Sequence, residues 1–236
     1  MDAFYQYLDK AVFAVLPYVA LVLFFVVSVY RYRVRTFTYS SLSSQFLDNQ
    51  THFWSTVPFH YGIIVVLLGH FVAFLIPRSV LWWNSQPARL YVLEIAALIF
   101  GLLTLFGMVS IFIRRLTTPK IKSVTSPVDW ILFILLLLQV TTGVTIAIFY
   151  PWGSSWFSAA AAPYLWSIVT FNPDTSYIVG MPLLVKLHIF GAILLIGLFP
   201  FTRLVHVLVI PFPYLWRKPQ MVRWNWDPRT IRSHRS

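Results

Sequence analysis

The chain has 236 residues, of which 58% are hydrophobic and only 11% charged, with a formal net charge of +11 and no cysteine. A water-soluble domain carries roughly 25% charged residues, so the composition excludes that class and points to an integral membrane protein. The missing thiols exclude disulfides, cysteine-held iron–sulfur clusters and thiolate-ligated or CxxCH-attached haem, which leaves histidine, methionine and oxygen as possible metal ligands.

Five apolar runs come near or exceed the ~20 residues needed to cross a bilayer: about 12–30, 57–76, 90–113, 128–150 and 183–208. They predict an all-α membrane protein, one bundle of five transmembrane helices. Before the first run stand Asp2 and Asp9, and after it Arg31, Arg33 and Arg35; a cleavable secretory signal has the reverse polarity, so this run is expected to stay as a helix. Loop 31–56, loop 114–127 and the tail from 209 together hold thirteen Lys and Arg, against three on the opposite side. By the positive-inside rule the N-terminus lies outside and the C-terminus in the cytoplasm. Topology thus accounts for the positive charge, and no nucleic-acid partner is expected.

The long outer segment 151–182 has no Lys or Arg but holds Trp152, Trp156, Tyr164, Trp166 and Tyr177. That composition predicts an aromatic interface belt, with a short helix over 159–170 in the membrane plane, serving structure or shaping a ligand's approach. The expected organisation is a membrane domain over residues 1–222 and a basic cytoplasmic tail over 223–236.

Four of the six histidines lie in two of the runs, His60 and His70 in the second, His188 and His206 in the fifth. Ionisable residues at such depth are costly and usually functional, and neutral imidazole is a common axial ligand of haem iron. The second helix runs outward and the fifth inward. His60 and His206 therefore share the inner level, and His70 and His188 the outer. Four axial imidazoles in two matched pairs predict two haem b groups. His188 and His206 are eighteen positions apart, five whole turns of a regular helix, while His60 and His70 differ by about 80°. The rise is less even, about 27 Å against about 15 Å, so either a kink at Pro200 absorbs the difference or His206 lies beyond the regular helix. His52 and His234 are expected in solvent.

Glycines 62, 69, 101, 107, 143, 191 and 197 offer places where a macrocycle or a neighbouring helix approaches the backbone. Arg203 and Lys186, next to His206 and His188, are candidates for contact with haem propionates, or for snorkelling to the headgroups.

The segments SSQFLD at 43–48, FHYGIIVVLLGHF at 59–71, RRL at 114–116, SIVTF at 167–171 and KLHIFGAILLIGLFPFTRLVHV at 186–207 resemble the gamma (cytochrome b) subunit of membrane-bound respiratory nitrate reductase. The resemblance implies quinol oxidation near the outer haem, at Gly69, His70 and Arg89, in the plasma (inner) membrane of a prokaryote. Electrons would pass to an iron–sulfur beta subunit and on to a molybdenum alpha subunit that reduces nitrate. The family's basic residue at the start of the third helix is Lys where this chain has Arg89, and the tail beyond Val222 has no recognised counterpart. Rival readings are the cytochrome b subunit of a sulfur, heterodisulfide or nitrite-oxidising complex, or a haem-free anchor or transporter.

Overall fold

A computed structural model describes residues 2–39 and 52–209. The chain divides into two compact units, Met1–His206 and Val207–Ser236, and the architecture below is that of the first. The 43–48 segment, the expected boundary at 222/223 and His234 lie outside the described residues. Among the described residues every regular element is helical. Five helices are long and apolar enough to cross a membrane: α1 (Tyr7–Val34), α2 (Phe53–Leu75), α3 (Pro87–Thr117), α4 (Pro127–Phe149) and α5 (Leu183–Phe201).

Proline punctuates the chain. Pro77, Pro87, Pro119 and Pro127 each open a helix, the position where a missing N–H costs nothing. At the head of α4, Ser126 and Asp129 form a reciprocal capping box, Ser126 N–H donating to Asp129 Oδ2 at 2.8 Å and Asp129 N–H to Ser126 Oγ at 3.2 Å. In α1, Pro17 lacks the N–H that would reach back to the Phe13 carbonyl. The helix loosens into a π turn over Ala11–Val15, and the Tyr164 hydroxyl donates to Phe13 O at 2.8 Å instead.

The five helices form an arc in which α2 packs on α3, α3 on α4, α4 on α5 and α5 on α1. The closest approach is between α2 and α3. A Cβ on Gly62 would stand 2.7 Å from Thr104 N, and one on Gly107 would stand 2.7 Å from Phe59 Cα. These glycines, with Gly101 against Val144 and Gly197 against Ala20, seat neighbouring helices and so realise the packing alternative of the sequence reading. By contrast α2 and α5, the helices rich in histidine, make no more than a marginal backbone contact among the described residues.

One end of the bundle is rich in arginine. Arg31 donates to Pro200 O at 2.7 Å and Thr202 O at 3.1 Å, Arg203 pairs with Asp129 at 2.6 Å, and Arg115 donates to Thr125 Oγ1 while lying 4.2 Å from the Phe133 ring centre. The opposite end is closed by helical residues Gly153–Trp156, the π turn Phe157–Ala161 and Ala162–Val169, a longer stretch than the expected 159–170. Glu94 of α3 caps it, accepting from Gly153 N, Ser154 N and Ser154 Oγ.

The structure departs from the sequence expectations at two places. Trp152, Trp166 and Tyr177 stay exposed as a surface belt would, but Tyr164 is 1% exposed and belongs to the apolar cluster of Phe13, Ala20, Ile168, Ile178 and Ile193. Its hydroxyl is satisfied by the carbonyl that Pro17 releases, so the ring can enter the core. The fifth run also does not continue to residue 208 as one regular helix. The α-helix ends at Leu198, Phe199–Phe201 is a 3-10 turn, Thr202 is extended, and Arg203–Val209 forms a second 3-10 segment. Pro200 denies the helix a donor, and Arg31 takes up the Pro200 and Thr202 carbonyls. The five-turn alignment of His188 with His206 therefore does not apply, and His206 sits beyond the regular helix.

Candidate functional site

His60 and His70 both project from α2, which runs antiparallel to α3. Because Phe59 meets Gly107 while Arg114 and Arg115 close α3, His60 lies toward the arginine-rich end and His70 toward the other. On the far side of the arc, His206 follows Arg203 and its Asp129 partner, and His188 lies on α5 beside α4.

The rings share one feature that the sequence does not show. His60 Nδ1 is 2.8 Å from Thr56 O, His70 Nδ1 2.8 Å from Val66 O, and His206 Nδ1 2.6 Å from Arg203 O. A carbonyl only accepts, so each Nδ1 carries a proton, and in the neutral ring each Nε2 then presents its lone pair. That is the tautomer a metal-ligating imidazole needs, with its second nitrogen anchored. None of these three Nε2 atoms has a hydrogen-bond partner among the described residues.

His188 is set differently, from the neighbouring helix. Its Nδ1 is 3.0 Å from Thr142 Oγ1 on α4, and the Gln139 amide donates to His188 O at 3.1 Å and approaches its Nε2 at 3.3 Å. An iron at this nitrogen would replace the long contact and leave the carbonyl bond in place. Gly143 makes room for the ring, and Gly191 of α5 makes room in turn for Gln139 Oε1. Gln139 and Thr142 were missed in the sequence, although QVTTG at 139–143 puts these two polar side chains on one face of an apolar helix, the pattern that flags intramembrane function.

Haem fits this arrangement. Two imidazoles that clasp one iron would keep their helices too far apart to interdigitate, and α2 and α5 make no more than marginal backbone contact among the described residues. Among the described residues no group of three or more His, Cys, Asp or Glu converges to hold a bare metal ion, whereas porphyrin iron needs only two protein ligands. Gly69, next to His70, has nothing within 4 Å of its Cβ position, and Phe157 of the π turn meets the His70 ring edge to face at 5.2 Å.

Arg89 opens α3 beside the short helix Pro77–Asn84, its guanidinium carbon 4.9 Å from the Trp82 ring centre and 5.3 Å from that of Trp83. Its Nε is buried without a hydrogen-bond partner among the described residues. Lys186 Nζ meets Asp9 Oδ2 at 2.9 Å, and Arg203 meets Asp129 through both Nε and Nη2 at 2.6 Å. Each of these two cations thus already carries a carboxylate. A cavity of 490 Å³ opens between the end of α4 and the start of α5, lined by Tyr150, Trp156, Tyr177, Met181 and Val185 among others; Val185 is one turn from His188.

Residues 9–225 match the family described as nitrate reductase gamma subunit. Over 92% of its length the chain is 34% identical to the respiratory nitrate reductase 2 gamma chain of Escherichia coli (strain K12), covering 98% of that protein. It is 32% identical over 88% of its length to the nitrate reductase gamma chain of Bacillus subtilis (strain 168), covering 95% of it. The respiratory nitrate reductase 1 gamma chain of Escherichia coli is 31% identical, with 92% and 98% covered.

Proposed function

Because the chain belongs to the nitrate reductase gamma subunit family, we propose that it is the di-haem cytochrome b subunit of that complex, with His70 and His188 holding the outer haem and His60 and His206 the inner. The observation that carries this reading is the common state of the imidazoles: Nδ1 is engaged at all four, at two positions on α2, one on α5 and one in the 3-10 segment that follows it. Bound there, two haem b groups would supply a one-electron relay across the bilayer.

The chain's own residues provide input and direction. Gly69 leaves an open face beside His70, and Arg89, steadied between two indoles, offers a hydrogen-bond donor to a quinol oxygen. Arginine in place of lysine keeps the charge and presents it as a planar fork. Quinol protons leave on the outer side while electrons move inward, each charge working against about 2.3 kcal/mol per 100 mV of membrane potential. Lys186 and Arg203 stand close in sequence to His188 and His206, and a propionate there would share the cation with Asp9 or Asp129. The arginine-rich end faces the cytoplasm by the positive-inside rule, and there an iron–sulfur beta subunit passes electrons to a molybdenum alpha subunit that reduces nitrate. The setting is the inner membrane of a prokaryote.

The test is a reduced-minus-oxidised spectrum and haem count on the purified complex, with His70→Ala alongside. Two b haems per gamma chain are expected, and the variant should lose the outer one together with quinol oxidation while keeping the inner. A haem-free chain, or a variant that loses both haems or neither, overturns the assignment.

A further inference from the structure

The anchoring of the four imidazoles differs in kind. His60, His70 and His206 each give the Nδ1 proton to a main-chain carbonyl three or four residues earlier in their own segment, an acceptor that no side-chain replacement removes. His188 gives its proton to a side chain on another helix. We propose that Thr142 is the positioning residue of the outer haem's ligand on α5: its hydroxyl oxygen accepts the Nδ1 proton of His188 and so sets the ring's plane and its electron donation to iron. The proposal rests on the di-haem reading above.

The direction of this bond follows from the surroundings. Thr142 Oγ1 lies 2.9 Å from Leu138 O and 3.0 Å from Gln139 O, so its single proton is committed to the α4 backbone and its remaining lone pair faces His188. A hydroxyl that is itself donating is the stronger acceptor. The ring cannot swing away from it. Gly143 borders it on one side, with its Cβ position 2.9 Å from Cε1, and the Gln139 amide holds the residue's own carbonyl at 3.1 Å. The α4–α5 packing thus fixes the height, the rotation and the tautomer of this one ligand, while the other three are fixed within their own segments.

A hydrogen bond from the remote imidazole nitrogen makes the ligand a better donor and favours ferric over ferrous iron. Removing it should raise the midpoint potential of one haem and leave the other alone. The experiment compares Thr142→Val, which keeps the shape and removes the acceptor, with Thr142→Ser, which restores it. Both are made in the intact complex and followed by optical redox titration and low-spin EPR. The expected result for Thr142→Val is an upward shift in potential and a changed EPR signal at the outer haem, or loss of that haem alone, with the inner haem unchanged and Thr142→Ser like the parent. Three outcomes overturn the proposal: both haems unmoved in Thr142→Val, both moved or lost together, or no recovery in Thr142→Ser. A parent complex without a second b haem would overturn the di-haem reading as well, and its own spectrum shows that before any variant is made.

Discussion

Gly143 and His188 meet across the α4–α5 contact with the imidazole against bare backbone, a Cβ on the glycine standing 2.9 Å from His188 Cε1. A side chain there must push the ring out of its place between Thr142 and Gln139. Gly143→Val is expected to cost about 1–3 kcal/mol as an overpacking change and to disturb the outer haem first. Haem counting and the difference spectrum check this; a variant with both haems as in the parent would show that the ring has room the structure does not give it.

Gly62 and Gly69 share a helix but face different surroundings. A Cβ on Gly62 meets the α3 backbone at Thr104 N and Phe100 O, 2.7 and 2.8 Å away, whereas one on Gly69 meets nothing within 4 Å. Gly62→Ala should lower thermal stability in detergent by about 1–3 kcal/mol. Gly69→Ala should leave stability and haem content intact while slowing quinol oxidation severalfold, because the methyl group occupies the space offered to substrate. Unchanged quinol kinetics in the Gly69 variant would remove that residue from the site.

Asp129 joins three parts of the arginine-rich end. It caps α4 through Ser126, pairs with Arg203, and lies within electrostatic reach of Arg115. Its side chain is 4% exposed, so removing it takes away both carboxylate contacts to Arg203 and the cap of α4 at once. Asp129→Leu is expected to destabilise by about 3–5 kcal/mol, and to loosen the inner haem before the outer, since Arg203 leads directly into the segment that carries His206. Replacing both, as Asp129→Leu with Arg203→Met, should cost less than the single change, which a thermal-unfolding double-mutant cycle measures.

Tyr164 donates to the carbonyl that Pro17 leaves without its helical partner. Burial pushes its phenol above the ordinary value, so it remains a donor at physiological pH. Tyr164→Phe keeps the ring in the apolar cluster and removes only the bond, with an expected loss of about 1–3 kcal/mol. Hydrogen exchange at the head of α1 should rise locally; an unchanged pattern there would mean that Phe13 O finds another donor.

Hydropathy and charge settled much of this protein before any coordinates. Five spans, their alternating directions, the arginine-rich end and the concentration of four histidines in the second and fifth apolar runs are all readable along the chain, because burial in lipid selects residues one segment at a time. The spans in the structure differ from the expected ones by a few residues at most ends, and the exception is instructive. At 199–202 a proline and an arginine from α1 together end a helix whose apolar composition runs on, and composition carries no record of where a backbone hydrogen bond is lost.

What only the tertiary structure decided are the relations between segments. It assigned Gly62 and Gly107 to helix packing and Gly143 to His188, gave Tyr164 to the core, tied Lys186 and Arg203 to carboxylates, and brought Gln139 and Thr142 to the one imidazole that its own helix does not anchor. Each depends on which faces meet across distant stretches of chain. A lipid-exposed side chain and one that faces another helix are equally apolar, so that information enters only when the helices pack.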